Sequence, residues 1–134
     1  MGFEGERPSR LGVDSNGRFT PCPRAPNCVC SQSRDRRHAI EPIAFEQSPA
    51  AAMRRLHAVI EALSGVTVVT VSRRYLHAEV RSRVFGFVDD LEFYCDRRAR
   101  VIHVRSAARL GYFDLGVNRR RVEAVRKAFA RSSA

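Results

Sequence analysis

Three carboxylates stand close together in the stretch FGFVDDLEF, at Asp89, Asp90 and Glu92. With His77 they could supply acid and base groups, or ligands for a hard cation such as magnesium. Alternation sorts them by face. Phe85, Phe87, Leu91 and Phe93 mark one side of a strand as apolar, and Asp89 falls on that side. A carboxylate buried there needs an ion partner or hydrogen bonds, because an isolated one is too costly. Two readings of Asp89 stand side by side. One is a structural Asp that ties a helix or loop to the sheet. The other is a catalytic or ligand-binding carboxylate in a cleft. Asp90 is adjacent and faces the opposite way, which argues against a shared carboxylate dyad.

A second constellation fills VRSAARLGYFDLGVNRRRVE, from Val104 to Glu123. It gathers Arg105, Ser106, Arg109, Asp114, Asn118 and Arg119 around Gly111 and Gly116. The glycines permit turns with positive φ, and Asp114 caps or turns the loop. Asn118 is expected to open a helix whose N-terminus favours an anion. These six residues are the candidate binding set for a phosphate or carboxylate group. Arg109 or Arg119 is the expected ion partner of Asp89. The P-loop fingerprint is absent.

The cysteines raise a third possibility. Cys22, Cys28 and Cys30 fall in PCPRAPNCVC, and Cys95 lies far away. Zinc knuckles want paired Cys-x2–4-Cys units, and redox or haem motifs want Cys-x-x-Cys. Neither spacing occurs, so no metal site is expected at the cysteines, and the sequence identifies no cofactor. A Cys22–Cys28 disulfide closing a small proline-framed loop is the favoured reading, formed only where the compartment is oxidising. Cys95 has the parity of a small inward-facing apolar residue.

The elements that must position these groups follow from periodicity. Ser48-Pro49 starts a helix over 49–64, with Met53, Leu56, Ile60 and Leu63 on one face. Strands are expected at 66–72, 75–84, 87–95 and 100–107. A last helix opens at Asn118 and carries Val122, Val125 and Phe129. His38–Ile43 reads as a short edge strand ended by Pro42. The pattern predicts an α+β, two-layer domain: an antiparallel four- to five-stranded sheet with two helices packed on one face. Residues 1–37 form a long ordered loop arm with the Cys/Pro motif, and 38–134 the domain proper.

Register can be proposed as well. A turn at Asp96–Ala99 sets Cys95 opposite Arg100, hence Asp89 opposite Ser106, Asp90 opposite Arg105 and Glu92 opposite His103. In the preceding hairpin Leu76 pairs with Phe93 and Ala78 with Leu91. The outer face then carries His77, Glu79, Arg81, Asp90, Glu92, His103 and Arg105, read as ion pairs on a wet surface or as a site.

A chain of 134 residues and 15.1 kDa suits one domain. Its net charge is +10, and every basic residue except Lys127 is arginine. The arginines are scattered, so nucleic acid is not the expected partner. No apolar run is long enough to span a membrane. No signal-peptide h-region is present, so the chain as it stands reads as cytoplasmic, or as periplasmic or membrane-associated if a leader is missing.

Three motifs together resemble a known family: LGVDSNGRFTPCPRAPNCVCSQ, FGFVDDLEF and VRSAARLGYFDLGVNRRRVE, in that order. The chain resembles domain-of-unknown-function family 1499 from Leu11 to about Phe129. The resemblance implies small bacterial and plastid proteins, some with membrane or lipoprotein leaders. It implies shared motif positions that include Cys22, Cys28, Asp89, Asp90, Glu92, Arg105, Arg109 and Arg121, and no settled activity. Cys30 and Ala108 stand where serine is usual. The function expected is a binding or accessory protein for a small anionic molecule or lipid head group near Arg105–Arg119. The alternatives are an enzyme using Asp89, Asp90 and Glu92, or a protein-interaction module.

Overall fold

A computed structural model describes residues 5–82, 86–111 and 114–132. Its elements are β1 (Cys28–Cys30), β2 (Ile43–Ala44), α1 (Pro49–Glu61), β3 (Val66–Val71), β4 (Tyr75–Arg81), β5 (Val88–Asp96), β6 (Val101–Ala108) and α2 (Val117–Arg131). One six-stranded sheet has the order β1-β6-β5-β4-β3, with β2 also on β6. The paired strands are antiparallel, and the fold is α+β.

The sheet has more strands than the four or five expected. Both additions pair with β6. β1 lies inside the cysteine-rich stretch, where prolines hide any strand period. β2 follows Pro42 instead of ending at it. Within the expected edge strand, Ala39 makes only an isolated bridge to Cys30. Among the described residues no helix is long and apolar enough to cross a membrane.

Local chemistry sets the helix starts. The Ser48 hydroxyl accepts from the Ala51 amide at 3.1 Å, and Pro49 occupies the first turn, where its missing N–H costs nothing. α1 ends at Glu61, short of residue 64. α2 starts one residue before Asn118, and Gly116 takes the cap position at φ 78°. Asn118 is therefore inside the first turn, and it is buried. The Asp114 carboxylate serves this end instead, accepting from the Gly116 amide at 2.8 Å and the Asn118 amide at 3.3 Å.

Alternation places the core. Leu56 and Ile60 of α1 and Val122, Val125 and Phe129 of α2 share one buried cluster with Leu76, Leu91, Phe93 and Val104. Each such side chain contributes about 1.5–3 kcal/mol by leaving water. β4 and β5 pair with Leu76 opposite Phe93 and Ala78 opposite Leu91, as alternation requires. β5 and β6 pair two positions away from the expected register: Cys95 meets Ile102, Leu91 meets Ser106 and Glu92 meets Arg105. The connection is longer than a tight turn. Asp96 Oδ1 accepts from the amides of Arg98 and Ala99, and Arg100 turns back at φ 57°. A slip of two keeps every side chain on its own face.

Candidate functional site

The sheet has a second face, and it carries charge. Strand parity turns Tyr75, His77, Glu79, Asp90, Glu92 and Arg105 away from the helices. A wet surface was the simple expectation, yet His77, Asp90 and Glu92 are only 2%, 2% and 1% exposed. Residues before β1 cover them. Val13 and Phe19 bridge across a turn in which Asp14 Oδ1 accepts from the amides of Asn16 and Arg18. The Gly12 amide donates to Glu92 Oε1 at 2.7 Å, and Arg7 reaches Glu79 at 2.6 Å. Gly17 lies so close to Tyr94 that a Cβ would fall 2.7 Å from its ring, a site open only to glycine.

Burial on this scale requires partners. Arg109 supplies three of them. Its Nε and Nη2 donate to the two Asp90 oxygens at 3.1 and 2.6 Å, and Nη2 also meets Glu79 at 2.7 Å. His77 Nε2 lies 2.9 Å from Asp90 Oδ1, and Tyr75 donates to Glu92 at 2.6 Å. Burial alone would raise the Asp90 carboxyl, but the hydrogen bonds from His77 and Arg109 outweigh it and hold it below its ordinary value. The Arg7 hydrogen bond, opposed by burial and aided by Arg109, brings Glu79 down to about 2. Burial, reinforced by Glu92, pushes the Tyr75 phenol well up.

His77, Glu79 and Asp90 bring ligand atoms within 4.8 Å of one another. This is the only such cation-ligand group among the described residues. The Arg109 guanidinium already fills the cationic role there, so a hard cation would have to displace it. Carboxylates held this low are also poor proton acceptors at neutral pH.

Arg105 is bound far more loosely. It is 9% exposed, yet its Nε has no hydrogen-bond partner. Its Nη2 reaches the Pro21 carbonyl only at 3.5 Å, and its Nη1 stands 3.7 Å from Glu92. Arg105, Arg109 and Arg10 line one cavity of about 360 Å³, together with Asp90, Leu11 and Pro23. Three guanidiniums thus converge where one is poorly satisfied.

The remaining candidates lie elsewhere. Asp89 faces the helices, as its parity demands, and its ion partner is Arg121 at 2.6 Å, not Arg109 or Arg119. Burial raises the Asp89 carboxyl despite that arginine. Arg119 donates to the carbonyls of Ala39 and Arg37. Ser106 donates to Asn118 Oδ1 at 2.5 Å, and the Asn118 amide group donates to Asp114 at 2.8 Å. Arg121 Nη1 also donates to Asn118 Oδ1 at 3.0 Å, so Ser106, Asn118, Arg121 and Asp89 make one network at the start of α2, with the half-buried Asp114 at its edge. Of the six residues expected to hold an anion, Arg105 and Arg109 alone meet at the charged-face cavity.

Cys22 and Cys28 form a disulfide, which ties the proline-framed loop to β1. Cys30 and Cys95 are free and buried, and burial pushes both thiols up, away from reactivity. Sequence reasoning missed Tyr75 and Arg10, which carry no motif signal of their own. Arg121 stood among the resemblance's motif positions without a role.

A search of curated proteins finds no match, and a search of solved structures finds none either. The family model described as "Protein of unknown function (DUF1499)" matches residues 18–129. That span holds the disulfide, β1 to β6 and nearly all of α2, and the chain belongs to this family.

Proposed function

We propose that this chain is a binding protein for a small anion, held in the cavity between β6 and the segment around Pro8–Pro23. One observation carries the reading: Arg105 is buried with an unpartnered Nε, beside a cavity it shares with Arg10 and Arg109. A buried guanidinium without full hydrogen bonding is costly, and an anion on its loosely engaged Nη groups would offset part of that cost. The cavity volume lies within the range of small-molecule sites. In this reading the chain works as one structural unit, two layers deep, and residues 1–37 act as an arm that forms one wall of the site. The Cys22–Cys28 disulfide supports an oxidising compartment over the cytoplasm.

Calorimetric titration with sodium acetate, phosphate and citrate tests the reading, with anionic and neutral phospholipid vesicles as a parallel arm. Saturable binding of at least one free anion is expected, abolished by Arg105→Met and retained in Arg119→Met. Binding to anionic vesicles alone would move the ligand to a head group. No binding in either arm would overturn the reading.

A further inference from the structure

The charges around the cavity allow its ligand to be narrowed, on the premise that the anion-site reading above holds. Four guanidiniums, Arg7, Arg10, Arg105 and Arg109, meet three carboxylates, Glu79, Asp90 and Glu92. On the formal count, which leaves histidine out, the surplus is one positive charge. Asp90 itself lines the cavity, so a second negative charge on the ligand would face a carboxylate. Pro8, Leu11, Pro23 and Ala107 give the wall an apolar side, broken by the hydroxyls of Ser9 and Thr20, of which Thr20 already donates to the Arg10 carbonyl. Two nitrogens remain available on the polar side. Arg105 spends little of its donor set, and Arg109 Nη1 makes no hydrogen bond to a described residue.

We infer that the site takes a monocarboxylate with a small apolar body, its carboxylate on Arg105 and Arg109 and its hydrocarbon against Leu11, Pro23 and Ala107. A planar carboxylate matches the fork of a guanidinium and carries the single charge the site lacks. A phosphate dianion overshoots that charge, and its tetrahedral oxygens find no use for the apolar wall. The cavity of about 360 Å³ also holds a body of several carbons, since a water in bulk takes about 30 Å³.

The experiment ranks probes by calorimetry on the whole chain with its disulfide intact: 4-methylvalerate, its amide, acetate, inorganic phosphate and citrate. The expected order places 4-methylvalerate first, with phosphate and citrate weaker by on the order of tenfold and the amide without binding. Arg105→Gln removes the binding. Leu11→Ser weakens 4-methylvalerate and leaves acetate unchanged. Phosphate or citrate binding more tightly than 4-methylvalerate, still through Arg105, overturns the monocarboxylate assignment and leaves the anion site standing. Binding of none of the salts, or binding indifferent to Arg105, overturns both. If Arg105→Gln does not fold, the ranking on the unaltered protein and on Leu11→Ser decides the assignment.

Discussion

Arg109 grips Asp90 by both oxygens, from Nε at 3.1 Å and Nη2 at 2.6 Å, in the middle of a sheet face that residues near the N-terminus cover. The side chains of the pair are 6% and 2% exposed. Removing one partner leaves the other charged and dry. Arg109→Met should therefore cost about 3–5 kcal/mol in urea denaturation at neutral pH. Arg109→Lys should recover only part, because an ammonium cannot reproduce the two-pronged contact. A cost below about 1 kcal/mol would show the pair to be solvent-screened.

The same contacts set an acid limit. Asp90 and Glu79 are both held below their ordinary values in the folded state. Their contribution is complete above the unfolded carboxyl value of about 4, and it is lost as pH falls toward about 2, where Glu79 takes a proton. Stability measured from pH 6 down to pH 2 should fall across that window. The slope should shrink in Arg109→Met, which has less folded-state depression to lose.

Tyr75 gives the opposite sign. Its phenol is raised in the folded state, first by burial and then by Glu92. The stability it brings is present below the ordinary phenol value of about 10, and is lost as pH rises above it. In an absorbance titration the native protein and Tyr75→Phe should give the same phenolate signal while folded and differ only once unfolded. Tyr75→Phe strips a buried donor from Glu92 and should cost about 1–3 kcal/mol.

The disulfide bounds a short loop between Cys22 and Cys28. The chain-entropy model assigns such a closure about 2 kcal/mol. Reduction with dithiothreitol, or a Cys22→Ala/Cys28→Ala double variant, should lower stability by that amount. Pro23 of the cavity wall adjoins Cys22, and Thr20 lies two residues before it, so reduction should weaken anion binding as well. Unchanged binding in the reduced protein would uncouple the loop from the cavity.

Asp89 should be separable from the cavity. Its carboxyl is raised by burial, so the stability it favours is present at low pH and lost as pH rises through its folded value. Asp89→Asn should cost less than Arg109→Met and leave anion titrations unaltered. Loss of binding in that variant would return Asp89 to the site.

Much of this architecture could be read before the structure, and the misses have physical causes. Alternation in Tyr75–Arg81 and Phe87–Cys95 fixed which residues share a face, because a slip of one would exchange core for charge. It did not fix the β5–β6 register, since a slip of two leaves faces intact and the turn's length rested on Arg100 adopting positive φ. The charged face looked wet because its cover comes from Arg7 to Phe19, a stretch with no period to read. Arg121 could not be chosen over Arg119 from composition, because neighbouring helical arginines differ only in direction. Arg105 and Arg109 came out together because both lie near the end of β6, four residues apart.

The covered charge layer also bears on the order of assembly. Gly12 and Arg7 are synthesised before their partners Glu92 and Glu79, which follow 80 and 72 residues later. The cover cannot settle until β4 and β5 exist. Until it settles, the three carboxylates of β4 and β5 stand in water on the uncovered face of the sheet. Closure of the N-terminal segment is then a late event of long sequence separation, the kind that slows folding. It also builds one wall of the cavity, so in this reading the chain acquires its capacity to hold an anion only once that segment has closed over the sheet.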